Sequence, residues 1–120
     1  MGKSFMKIGP ITCSIEADPP YKTMRNSATD FFTLANEKLK LPEDIPESSI
    51  ETGRIQFKNN SVNLAIRTNP IGAEILKNLN GKKTVAKIAS ELSEKYDLDD
   101  EEFLEQVKTF LNIFRTYNLI

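Results

Sequence analysis

Residues 69–120 carry three consecutive amphipathic helical patterns, separated by short capped turns and preceded by a hairpin-like pair of strand patterns. That order constrains the chain more than any other feature, because each apolar stripe must be covered by a neighbouring element. It specifies an α+β fold: a small antiparallel sheet of two or three strands followed by a compact three-helix unit. In the first helical pattern Ile71, Ile75, Leu76 and Leu79 share a face. Thr68 or Asn69 serves as its cap, and Pro70 sits in the first turn, where a missing N–H costs nothing. Asn80-Gly81 supplies a left-handed stop. Thr84 opens the second pattern, whose stripe is Val85, Ile88, Ala89, Leu92 and Tyr96. Asp99 with Glu102 three residues on forms a capping box for the third, which aligns Phe103, Val107, Phe110, Phe114 and Tyr117 with Leu104 and Leu111 beside them.

Ahead of the helices, Ile55 and Phe57 alternate with Arg54, Gln56 and Lys58, and Val62, Leu64 and Ile66 alternate with polar or small neighbours. Asn59-Asn60 between them suits the positive φ angles of a tight hairpin. Register matters here, since a slip of one residue would expose all three apolar side chains. The first 46 residues differ in texture. Residues 5–17 read as a strand with Ile11, Cys13 and Ile15 on one face, ended by Asp18-Pro19-Pro20. Ser27 is a suitable N-cap for a helix running to about Leu39. Residues 41–48, LPEDIPES, form a connector broken by Pro42 and Pro46. The chain therefore divides into an N-terminal strand-and-helix arm, 1–46, and a C-terminal unit, 47–120.

Composition removes whole classes of function. With no histidine and one cysteine, Cys13, the chain holds no Cys–His pair, no Ser–His–acid triad and no thiolate metal cluster. Sixteen basic residues nearly balance 17 acidic ones, so no strong field draws the molecule to nucleic acid or an anionic membrane. The longest apolar runs are far too short to span a bilayer. The expectation is a cytoplasmic protein, not an enzyme, with no cofactor and no metal.

The third helix is apolar over more arc than packing on one neighbour requires. Either it is the central helix, buried on several sides, or one flank of Leu104, Val107 and Leu111 lines a groove open to a partner; both readings are compatible.

Several short pieces of the C-terminal unit, taken together, resemble the PqqD-like family, the small peptide-binding domains also called RiPP precursor recognition elements. They are Thr68-Asn69 closing a strand, Ala73-Glu74-Ile75-Leu76, Leu79-Asn80-Gly81, Thr84-Val85 with Ile88 and Leu92, Tyr96, and the closing Tyr117-Asn118-Leu119-Ile120. The resemblance covers roughly residues 53–120, with Asn80 where the family commonly has Asp and Asn118 where it has Gly. It implies a winged-helix-like unit of three strands and three helices, with the third strand drawn from residues 50–53 or from the arm. It further implies a non-catalytic peptide chaperone. In that family the leader of a ribosomally made precursor peptide adds as a strand to the sheet edge, clamped by the last helix, and is presented to a modifying enzyme, often a radical S-adenosylmethionine protein. Carried over residue by residue, the implied peptide contacts are Val62, Asn63, Leu64, Ala65, Ile66 and Arg67 on the strand edge, and Leu104, Val107, Lys108 and Leu111 on the helix.

Two other readings compete. Residues 84–114 also fit helix-turn-helix, but Asp99, Asp100, Glu101 and Glu102 occupy the turn that would approach phosphates, so a winged-helix DNA-binding protein is disfavoured. Lys77, Lys82, Lys83 and Lys87 cluster near the turn between the first two helices, as a solvated face or an attraction for acidic leader residues. The remaining alternative is a structural subunit that docks on a larger enzyme without holding a peptide.

Overall fold

A computed structural model describes residues 2–18, 33–43, 45–58 and 63–116. Strands β1 (Gly2–Ile8) and β2 (Ile11–Asp18) form an N-terminal hairpin. After a single 3-10 turn at Leu34–Asn36 come helix α1 (Glu47–Thr52), strands β3 (Arg54–Lys58) and β4 (Asn63–Thr68), and helices α2 (Pro70–Lys77), α3 (Val85–Lys95) and α4 (Asp100–Thr116). The four strands make one antiparallel sheet in the order β1-β2-β4-β3.

Local chemistry explains the punctuation. Asn69 accepts a hydrogen bond from Gly72 N–H at 3.2 Å and caps α2 behind Pro70. Thr84 Oγ1 accepts from Lys87 N–H at 3.1 Å at the start of α3, and Asp99 Oδ1 accepts from Glu102 N–H at 2.9 Å at the start of α4. Each side-chain oxygen satisfies one of the orphan donors of a first helical turn.

Three expectations are corrected. Residues 5–17 are not one strand: Gly9-Pro10 turns the chain, and Gly9 takes φ 58°, the positive angle a tight hairpin needs at its first central residue. Residues 50–53 supply no strand. They close α1, where Gly53 at φ 72° caps the helix and a Cβ would strike Thr68 O. Of the two sources expected for a further strand, the arm supplies it, with two strands, giving a sheet of four rather than two or three. The arm helix expected to reach Leu39 stops at Asn36 among the described residues; Ser27 lies outside them. Residues 37–40 run extended along the α2–α3 loop, where Glu37 O accepts from Val85 N–H and Leu39 O from Gly81 N–H, each at 3.0 Å.

The core lies between the sheet and α2, α3 and α4. Ile11, Cys13 and Ile15 from β2, Ile55 from β3 and Leu64 and Ile66 from β4 are all buried on one sheet face. Against them stand Ile75 and Leu76, Val85 and Ile88, and Phe103, Val107, Phe110, Leu111 and Phe114. Phe110 and Phe114 meet edge to face at 5.2 Å, a favoured aromatic geometry. The arm and the C-terminal unit therefore share one sheet and one core.

Candidate peptide-binding site

The site expected from the sequence was an unpaired edge on β4 flanked by the last helix. The register excludes the vacancy. Gly53 O accepts from Thr68 N–H at 2.8 Å on one side of β4, and Thr12 O accepts from Asn69 N–H at 3.2 Å on the other. Backbone direction alternates along an antiparallel strand. Leu64, Ile66 and Thr68 therefore pair toward β3, while Asn63, Ala65 and Arg67 pair toward β2. Thr68 Oγ1 adds a 2.9 Å bond to Thr12 O, and Asn69 Nδ2 a 2.7 Å bond to Pro10 O, which pin the hairpin to the end of β4. The sequence missed this because a strand edge looks alike whether or not a distant segment later covers it. Val62 lies outside the described residues.

The helix flank also differs from expectation. Val107 and Leu111 are 0% exposed, Lys108 is 9% exposed and Leu104 is half-buried. Val107 and Leu111 thus belong to the core. Lys108 is paired with Glu105 at 3.2 Å. The reading of α4 as a central helix buried on several sides describes it correctly. Near its end, the Arg115 guanidinium grips Glu37 with both amino groups, one at 2.8 Å, and ties α4 to the extended segment after the 3-10 turn. Such bidentate pairs fix geometry as well as adding energy.

Two free margins remain among the described residues: the outer edges of β1 and β3. The β3 margin is five residues long. The β1 margin is seven residues long. Thr12 directs its carbonyl at Asn69, away from its β1 partner Lys7, so the Lys7 and Phe5 backbone groups point outward from the sheet. Met6 and Ile8, half-buried on the core side, lie at this margin. The Gln106 side chain of α4 fills the place where a Cβ on Gly9 would stand. Phe5, on the opposite face, is 71% exposed and is the exposed large hydrophobic side chain among the described residues.

Several charged side chains elsewhere pair with one another. Glu74 accepts from Lys95 and, at 2.9 Å, from Tyr96 Oη; the Lys95 hydrogen bond foremost holds its carboxyl below the usual range. Lys83 pairs with Glu91 at 2.9 Å. Lys77, Lys82 and Lys87 are exposed, so the lysine cluster is a solvated, partly neutralised face. Burial pushes the Cys13 thiol up to about 11, which leaves it protonated and inert at neutral pH. Among the described residues no group of three or more Cys, Asp or Glu side chains is placed to hold a metal ion. No helix among them is long and apolar enough to cross a membrane.

No curated protein and no solved structure matches the chain. A family model does. Residues 58–120, from the end of β3 through the three helices, match the model for coenzyme PQQ synthesis protein D (PqqD). That span is more than half of the chain and includes the strand, the Asn69 cap and the helical stripes described above, so this protein belongs to the PqqD family.

Proposed function

We propose that this protein is a non-catalytic peptide chaperone that holds the leader of a ribosomally made precursor peptide and presents it to a modifying enzyme, a radical S-adenosylmethionine protein in the first instance, in the cytoplasm. Family membership is the observation that carries the reading. The fold is compatible with it, since a small antiparallel sheet with helices on one face and free outer edges suits recognition by strand addition. The helices that follow the β3–β4 hairpin also suit the winged-helix-like arrangement expected for the C-terminal unit.

Guest contacts along 62–67 and with Leu104, Val107, Lys108 and Leu111 would require β2 to withdraw. Exposing Ile11 and Ile15 alone costs about 3–6 kcal/mol, against roughly 8 kcal/mol available to a micromolar peptide. The guest is therefore assigned to an edge that is already free. DNA binding is opposed by exposed Asp99, Asp100, Glu101 and Glu102 at the start of α4. A docking subunit that binds no peptide is the second reading, favoured by the exposure of Phe5.

The test is fluorescence anisotropy with labelled synthetic versions of short peptides encoded beside this protein's gene. Saturable binding with Kd near micromolar or tighter, on the order of 8 kcal/mol, is expected. A folded protein that binds none of them, yet co-purifies stoichiometrically with the neighbouring enzyme, establishes the docking subunit instead.

A further inference from the structure

We infer that the guest strand is received at the outer edge of β1, and that the guest is an acidic, alternating segment: apolar side chains toward α4 and carboxylates on the open face. This rests on the proposed peptide-holding function and assigns it a place and a chemistry. Four observations converge on that margin. First, the backbone groups of Phe5 and Lys7 point away from β2, so a strand laid beside them finds donors and acceptors without displacing any pair. Second, Met6 and Ile8 are only half-buried on the core side, and helix α4 stands at the end of the strand with Gln106 over Gly9. Ile113, also half-buried, lies on the Gln106 stripe two turns on. A guest's inward apolar residues would complete that partly covered row.

Third, the margin carries a cation on the open face: Lys7 is exposed on β1 itself, one strand spacing from a guest's outward side chains, so a carboxylate placed opposite it gains a cross-strand ion pair. Fourth, the edge is built against pairing with itself. An antiparallel pair of two copies centred on Phe5 would set position 7 of one against position 3 of the other, and both are lysine. Lysines on an edge strand discourage edge-to-edge association with a like copy and favour a partner of opposite charge, while the exposed Phe5 between them offers apolar contact area.

The experiment uses the full chain and two fluorescein-labelled twelve-residue peptides: one alternates valine or isoleucine with glutamate, the other carries lysine in place of glutamate. A neighbour-encoded peptide that binds in the assay above is run alongside them. Amide hydrogen exchange on the free protein should show fast exchange at Phe5 and Lys7 and slow exchange at Ala65 and Arg67. The glutamate peptide, and any natural peptide that binds, should protect Phe5 and Lys7 and leave Ala65 and Arg67 unchanged; the lysine peptide should bind at least tenfold more weakly. Phe5→Pro removes an outward N–H that no internal strand uses, so the domain should stay folded while binding weakens by about tenfold, as loss of backbone bonds at an interface implies. Lys7→Glu should weaken the glutamate peptide and strengthen the lysine one.

The failures separate cleanly. Peptide binding that protects Arg54 and Gln56 instead, or that speeds exchange at Ser14 and Glu16, overturns the β1 assignment and leaves the peptide-holding function standing. Concentration-dependent dimerisation that protects Phe5 without peptide assigns the edge to a second copy and overturns the inference. Binding of no peptide at all removes the function itself.

Discussion

Gly72 in the first turn of α2 gives the sharpest test of how the hairpin is fastened. Helix propensity alone says that Gly72→Ala stabilises, by up to about 1 kcal/mol. The structure says the opposite. A Cβ at position 72 would fall on Thr68 Oγ1 and come within 3.0 Å of Thr68 Cβ and 3.2 Å of Cγ2. Thr68 cannot simply rotate away, because its hydroxyl donates to Thr12 O at 2.9 Å across the β2–β4 seam. Overpacking costs about 1–3 kcal/mol, and the lost hydrogen bond adds about 1 kcal/mol. Net of propensity, Gly72→Ala should destabilise by about 1–3 kcal/mol, a fall of roughly 1 M in the urea midpoint. In a Thr68→Ala background both Oγ1 and Cγ2 are gone, and the same change should be nearly neutral. A four-variant cycle followed by circular dichroism in urea reads the coupling directly. Greater stability of the single variant, or additivity within about 0.5 kcal/mol, would refute the close approach of α2 to the seam.

Other consequences can be checked with equal economy. Cys13, buried and held protonated, should react with an aromatic disulfide reagent at pH 8 far more slowly than in urea, and saturating peptide should not hasten it; acceleration by peptide would mean that β2 is released. Glu37→Ala leaves the Arg115 guanidinium, 7% exposed, without its carboxylate and should cost about 2–3 kcal/mol in urea unfolding. Glu74 is held below its ordinary value of 4.5 by Lys95 and Tyr96, so its contribution to stability is present above that pH and lost as pH falls through the lower folded value. Glu74→Gln should accordingly flatten the acid limb of the stability profile and leave its slope between about pH 6 and 8 unchanged, because the Lys95 and Tyr96 groups that Glu74 also perturbs titrate above that window.

Much of this fold was legible in the sequence wherever the signal is local. The caps at Asn69, Thr84 and Asp99 are short-range hydrogen bonds, and the stripe of α4 is a 3.6-residue period, so both could be read residue by residue. The Gly9-Pro10 turn also carried a local signal: the apolar phase shifts there from Met6 and Ile8 to Ile11, Cys13 and Ile15, as a two-residue hairpin requires. What no local pattern encodes is strand order. Residues 13–18 and 63–68 meet only because the hairpin folds back over some fifty residues of chain. That pairing turned the expected open edge of β4 into the middle of the sheet. The helix flank was misjudged for a related reason: Val107 and Leu111 are apolar at groove and core positions alike, and only the covering elements decide between them.

The central claim is that β2 stays on β4 while a guest strand is held elsewhere. It is tested most directly by nuclear Overhauser contacts between α-protons. Ile15 and Ile66 face each other as a non-hydrogen-bonded antiparallel pair, the arrangement that brings Cα atoms to about 4.5 Å. Their α-proton contact should persist at saturating peptide, and a new intermolecular contact should form at Met6. Loss of the Ile15–Ile66 contact, with guest protons taking its place beside Ile66, would show that the hairpin yields its position to the peptide and would contradict the account.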